Sequence, residues 1–588
     1  MIANALLGPF LGLTVLASTT PAGPADSAAR TQLRALLDEA WEFELREDPI
    51  FATSVGDHRY DDRLPSVRGA DQARRAEARR KLLERLKAID PAGLDETDRD
   101  SRALQRVKLE DSIREFELHH YRFPINADSG FHMELAQLAR QMPFDTTQDY
   151  ENYIARLRAF PEYVRGNVEL LREGLQAGWT LPKAALAGYE KTIEAHVVSD
   201  PRRSPFYVPL GSFPVGVPEG DRARLTAAGE KAIRDDVVPA YRAFLEFMTR
   251  DYMPRARATV GAGDLPGGRE YYAYLVRHFT TLDRTPEAIH ALGLEEVRRI
   301  RAEMEEVIRK TGFTGGFADF LKFLRTDPRF YAKTPEELLK QASWIAKRID
   351  GKLPSLFGRL PRQPYGVEPV PAEIAPKYTG GRYVGAPPGG KKAGTYWVNT
   401  YALESRPLYV LESLTLHEAV PGHHLQGALS SELTDLPPFR RFLYVDAFGE
   451  GWGLYSERLG LEMGLYTDPY SNFGRLTYEM WRACRLVVDT GLHAKGWTRQ
   501  QAIDYLASNT ALSLHECTTE TDRYISWPGQ ALAYKMGELK LRELRRRAED
   551  ALGARFDVRE FHDRILSGGT VTLPILEARV DSYVRSKR

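Results

Sequence analysis

Residues 409–426 read YVLESLTLHEAVPGHHLQ, and they hold three of the chain's 13 histidines, His417, His423 and His424, within eight residues. The apolar positions of YVLESLTL recur at helical spacing, so His417 and Glu418 sit on a buried helix that leads into the motif. Two imidazoles and a carboxylate on such a helix fit a zinc hydrolase. Neutral imidazoles bind the ion, and the glutamate one position on accepts a proton from the water that the ion activates.

Histidines four residues apart share an ion because one helical turn aligns them. Here residue 421 is proline, and the next histidine after His417 is His423. An unbroken helix rising ~1.5 Å per residue carries His423 or His424 about 9–10 Å along the axis, too far to share an ion through bonds of ~2 Å. The spacing therefore predicts a break or bulge at Pro421-Gly422, where proline lacks a backbone donor and glycine tolerates unusual dihedrals.

Outward from this motif the pattern is overwhelmingly helical. Thr31 to about Leu118 alternates charged residues with apolar ones at three- and four-residue spacing. Asp48 to Pro65, punctuated by Pro, Gly and Asp, reads as a loop. Arg74, Arg75, Arg79 and Arg80 read as solvated helix surface because acids interleave them. Thr285 and Thr334, each followed by proline, are expected N-caps of later helices. Pro and Gly become dense between residues 360 and 400, and Thr395 to Tyr401 (TYWVNTY) is expected to be a strand. No period of 20–50 residues recurs, which excludes a solenoid.

Composition narrows the function classes. Lys and Arg number 81, as do Asp and Glu, so the chain lacks the basic footprint of a nucleic-acid binder. A hydrophobic fraction of 43% is enough to bury a sizeable core. The two cysteines, Cys484 and Cys517, exclude both a disulfide framework and a thiolate-rich zinc module, so a metal must use His, Asp and Glu. Residues 1–28 read as a signal peptide or disordered leader: an apolar run from Ala5 to Ala17 precedes small and proline-rich residues, although no Lys or Arg comes before Arg30. The expected location is periplasmic or secreted, otherwise cytoplasmic. No stretch is long enough for a membrane span of ~20 residues, and nothing sets an oligomeric state.

The chain resembles the DUF885 family, a gluzincin-like branch of zinc metallopeptidases, through HEAVPGHHLQ at 417–426. The resemblance extends to DPIFATSVGDHRYDDRLP, MPFDTTQDYENYIARLRAFPEYV, AGTYWVNTY, EGWGLYSERLG, RLVVDTGLHAKGW and PGQALAYKMG. It implies a mainly α, large helical zinc-metallopeptidase-like fold, with a cleft and a small antiparallel sheet beside the metal helix. One catalytic unit would span 29–588, with an N-terminal helical lobe to about 330 and a metal-bearing lobe from about 331. It implies Zn2+ on His417, His423 and Glu450, with His424 the alternative second ligand or a group facing the substrate. Glu457, seven residues after Glu450, would accept from a ligand imidazole or pair with a buried arginine. Tyr534, or else Tyr524, would stabilise the oxyanion. Arg523 would clamp a substrate carboxylate, and TYWVNTY, with Asn399, would pair as an edge strand with the substrate backbone.

Arg482, Arg485, Asp489 and His493 share one face of an otherwise apolar helix. Either His493 helps hold the oxyanion in a site wall, or the stripe is a structural network in which Asp489 pairs with Arg485 or Arg482. The glycines of GGRYVGAPPGGKKAG lack phosphate-loop spacing and suit a flap. His119 and His120 read as ordinary helix residues, and Cys517 lacks a nucleophile signature. The resulting expectation is a zinc hydrolase of peptide bonds, acting on short peptides with Glu418 as base. The alternatives are a zinc hydrolase of non-peptide amides or esters, and a non-catalytic binding protein.

Overall fold

Helices make up nearly every element of the computed structural model, which describes residues 27–588 except 128, 373 and 387–392. The expected leader therefore lies outside the described residues up to residue 26, and the expected flap does so at 387–392. The N-terminal part is built from α1 (Ala28–Glu47), α2 (Gly69–Lys87), α3 (Glu96–Glu117) and the long α4 (Thr147–Ala177). Then come α5 (Gly268–Thr280) and α6 (Pro286–Thr311). Thr285 and Thr334 cap as their Thr-Pro signals require, accepting from the amides of Ala288 at 3.2 Å and Glu337 at 3.1 Å.

Three local expectations need correction. Asp48 to Pro65 is not all loop: Asp48 accepts from the amides of Ile50 and Phe51 and starts a short helix over Pro49–Ser54. Arg75 is buried, paired with Glu47 at 3.1 Å. His119 lies past the end of α3 with φ 57, and His120 Nδ1 meets the Tyr271 hydroxyl at 2.7 Å.

The apolar interior is divided into three clusters. The largest takes residues from Leu33 to Tyr583 and so joins α1, α2 and α3 to the helices around the HEAVPGHH motif. A second lies within residues 125–256, and a third links α5 to residues 486 and 532–536.

The sheet has β1 (Tyr365–Pro369), β2 (Gly381–Val384) and β3 (Gly394–Val398) in the order β1-β3-β2. It is mixed rather than wholly antiparallel, since β1 runs parallel to β3 and β2 antiparallel to it. Of the strand expected over Thr395 to Tyr401, only Thr395 to Val398 is strand, and it is the paired central one, not an edge; Asn399 to Tyr401 lie beyond it, and β2 is the edge that faces the motif. Tyr396 and Val398 are buried on the inner face, where the Tyr396 hydroxyl lies 3.4 Å from Thr415 Oγ1.

Six further helices carry the site: α7 (Leu411–Glu418), α8 (His423–Ser431), α9 (Asp446–Glu462), α10 (Pro469–Ala494), α11 (Leu514–Ser526) and α12 (Ala533–Leu552). At the crossing of α9 and α12 the two backbones touch. A Cβ on Gly451 would fall 2.6 Å from the Gly537 Cα, and one on Gly537 would fall 2.7 Å from the Gly451 Cα. Gly451 thus faces α12. Among the described residues no helix is long and apolar enough to cross a membrane.

Candidate metal centre

The helix breaks where the sequence places Pro421-Gly422. Ala419 (φ −94, ψ −105) and Gly422 (φ −73, ψ −129) leave helical geometry, and α8 restarts at His423. The turn is tied down from both sides: the Gly422 amide donates to Leu416 O at 3.0 Å, and Trp452 Nε1 of α9 donates to Pro421 O at 2.8 Å. Residue 422 must be glycine, because a Cβ there would lie 1.9 Å from the His417 carbonyl oxygen.

This turn brings His423 back beside His417. Both Nε2 atoms lie 3.4 Å from Glu450 Oε2, and one ligand atom from each of the three residues falls within 4.8 Å of the others. Donors held about 2.0–2.1 Å from one tetrahedral ion sit about 3.3–3.4 Å apart, so two nitrogens and a carboxylate at this spacing fit zinc in both distance and chemistry.

Behind the triad, His417 Nδ1 meets Glu457 Oε1 at 2.8 Å, leaving Nε2 directed at Glu450. Arg482 Nη2 lies 3.5 Å from the same Glu457 oxygen. Gly453 gives the imidazole its space, since a Cβ there would come within 2.7 Å of the ring. Burial opposes a charge on His417, yet Glu450 and Glu457 outweigh it and raise the imidazole to about 9. Burial likewise opposes the Glu450 charge, while His423 and His417 hold that carboxyl well below the usual range. The pocket is thus built to hold positive charge.

Glu418 ends α7, and its Oε2 accepts from the backbone amide of Tyr383 in β2 at 2.9 Å. The edge strand therefore orients the carboxylate. His424 points away from the triad: its Nδ1 lies 3.0 Å from the Tyr383 hydroxyl, and burial lowers its pKa to about 4. The Tyr534 ring stacks 6.4 Å from that of His417, and the Arg485 guanidinium lies 4.3 Å from its centroid. Burial and the Glu450 charge raise its phenol, which keeps it a proton donor at neutral pH.

Other candidates are committed elsewhere. His493 Nδ1 accepts from the Ala262 amide and Nε2 donates to Tyr524 O, each at 2.9 Å, so no ring nitrogen remains for an oxyanion. Asp489 accepts from the Tyr272 hydroxyl at 2.6 Å and from the Gly529 amide, not from an arginine. Arg485 pairs instead with Glu520 at 2.9 Å. The Tyr524 hydroxyl accepts from Trp481 Nε1 and Arg485 Nε, both at 2.8 Å. Asn399 is fully buried: its amide donates to the carbonyls of Ala375, Tyr378 and Thr379 and its oxygen accepts from the Tyr401 amide, which makes it a loop clamp rather than a substrate contact. Arg523 donates to Gln530 Oε1 at 3.0 Å and pairs with Glu520 at 3.3 Å. Both cysteines are buried thiols, Cys517 pushed up to about 12 by burial.

Besides Tyr383 and Trp452, two residues around Glu450 escaped the sequence reading. Tyr444, 53% exposed, donates its hydroxyl to Glu450 Oε1 at 3.1 Å. Its ring rests on Gly449, where a Cβ would lie 2.6 Å away. Asp446, one turn before Glu450 on α9, is raised to about 6 by burial and then by the Glu450 charge. Only the small residue at 449 hinted at Tyr444, and the i, i+4 spacing at Asp446.

Residues 49–580 match the family described as "Bacterial protein of unknown function (DUF885)". No curated protein matches the chain. The crystal structure of the "putative lipoprotein" from Colwellia psychrerythraea is similar at a TM-score of 0.89 and 28% identity, over 96% of this chain and 100% of that one. A second structure, of a protein so described and of unknown function from Shewanella oneidensis, is similar at a TM-score of 0.65 and 18% identity, over 94% and 99% of the two chains. That second likeness is one of fold alone.

Proposed function

The chain belongs to the DUF885 family, and from that premise and the geometry of its histidines we propose that it is a zinc-dependent hydrolase of peptide bonds, acting on short peptides. The observation that carries this reading is the pair of 3.4 Å separations that bind His417 and His423 to one oxygen of Glu450. His417 Nε2, His423 Nε2 and the Glu450 carboxylate would hold the ion. Zinc bound there supplies Lewis acidity, polarising the scissile carbonyl and acidifying water.

The remaining work falls to the chain. Glu418, oriented by the Tyr383 amide, takes the proton from water at its carboxylate and returns it to the leaving amine. Tyr534, protonated and set against His417, donates to the oxygen on which charge develops. Glu457 holds the His417 imidazole in the tautomer that leaves Nε2 for the ion. We also place the protein outside the cytoplasm, on the apolar leader and on the description of the Colwellia relative.

Elemental analysis of protein purified without chelator tests the reading. About one zinc per chain is expected in wild type and in His424→Ala, and little in His423→Ala. Wild type that holds no zinc and takes up none on titration would overturn it.

A further inference from the structure

The outer face of the sheet carries a cationic group that this chemistry leaves unused. Arg382 of β2 stands opposite Trp397 of β3, so the two side chains leave the sheet on the same face. Alternation sends the neighbouring pair, Tyr383 and Tyr396, to the other face, against His424 and Thr415. Tyr378 meets the Trp397 ring edge-on at 6.1 Å, and its hydroxyl lies within hydrogen-bonding reach of Arg382. From a separate part of the chain, Arg140 brings its guanidinium 5.8 Å from the Trp397 centroid.

Arg382 is exposed, and among the described residues no carboxylate forms an ion pair with it. Arg523, the clamp expected from the sequence, already has Glu520 as its counter-charge. The very next backbone amide in the strand, that of Tyr383, holds the Glu418 carboxylate at 2.9 Å. Arg382 thus directly precedes, in β2, the residue whose amide orients the candidate base, and its guanidinium has no salt-bridge partner among the described residues. Its planar fork suits bidentate contact with a carboxylate, and its length spans about two residues of an extended peptide.

We propose that Arg382, flanked by Trp397 and Arg140, is a subsite for a carboxylate of the substrate within about two residues of the scissile bond. The proposal rests on the peptidase reading. The carboxylate is either the peptide's C-terminus or an acidic side chain, and the same chemistry recognises both.

The probes are pentaalanine, its C-terminal amide, and Ala-Ala-Glu-Ala-Ala amide, with binding measured by calorimetry on full-length Glu418→Gln protein so that nothing is consumed. Pentaalanine, or the Glu peptide, is expected to bind at least about 10-fold more tightly than pentaalanine amide. Which of the two does so identifies the carboxylate. Adding Arg382→Gln should collapse that ratio toward one, and Arg382→Lys should restore part of it; Arg523→Gln should leave it standing. A ratio near one before Arg382 is changed, a ratio that survives Arg382→Gln, or no measurable binding of any probe would overturn the subsite. Cleavage of the same peptides by zinc-loaded wild type is scored separately. Binding without cleavage would count against the peptidase reading and leave the subsite intact.

Discussion

Glu457 Oε1 lies 2.8 Å from His417 Nδ1, with both residues at most 2% exposed, and forty residues of chain separate the two. A carboxylate behind an imidazole fixes which ring nitrogen carries the proton and raises the basicity of the other. Glu457 is therefore expected to act on the metal without touching it.

Glu457→Gln keeps the shape and loses the charge. Zinc affinity, measured by competition with a chelator, should fall about 10-fold while the far-ultraviolet spectrum is unchanged. Wild-type affinity in the variant would show that His417 needs no charged partner.

Glu418→Gln separates holding metal from using it. The variant should retain its zinc and lose about 10²- to 10⁴-fold in kcat, because its amide cannot take up the proton. Hydrolysis at the wild-type rate would remove Glu418 from the reaction.

His493→Ala leaves the Ala262 amide and the Tyr524 carbonyl without their buried partner, at about 1–3 kcal/mol each. Denaturant unfolding should report that loss. The protein that remains folded should keep a kcat near wild type, whereas a fall of 100-fold or more would return His493 to the chemistry.

Asp489 offers a pH test. Burial raises its carboxyl to about 7, above an unfolded value of about 3.9. Between those values the folded state binds more protons than the unfolded one, so this group's contribution to stability falls as pH rises from about 4 to 7. Asp489→Asn retains an oxygen for Tyr272 and Gly529 and does not titrate. Relative to the variant, wild type should therefore lose up to about 4 kcal/mol between pH 4 and pH 8; parallel stability curves would refute it.

What could be read from the sequence was what neighbouring residues decide. Pro421-Gly422 announced the helix break, and the break brings His417 and His423 together. Thr285-Pro286 and Thr334-Pro335 announced two helix starts. Asp48-Pro49 carried a similar signal, outweighed by the Gly and Asp residues after it. Partners far along the chain left no local trace. His493 is claimed by Ala262 and Asp489 by Tyr272, each more than 200 residues away. TYWVNTY looks the same as an edge or a central strand until β1 and β2 are placed around it.

The contact of Gly451 with Gly537 acts as a gauge. Glu450 precedes the first glycine by one residue, and Tyr534 precedes the second by three. The spacing between candidate ligand and candidate oxyanion donor is thus inherited from the thickness of two bare helix backbones, with no side chain between them to change rotamer. Substitutions elsewhere in the core can repack without altering that spacing, which insulates the chemistry from drift in its surroundings.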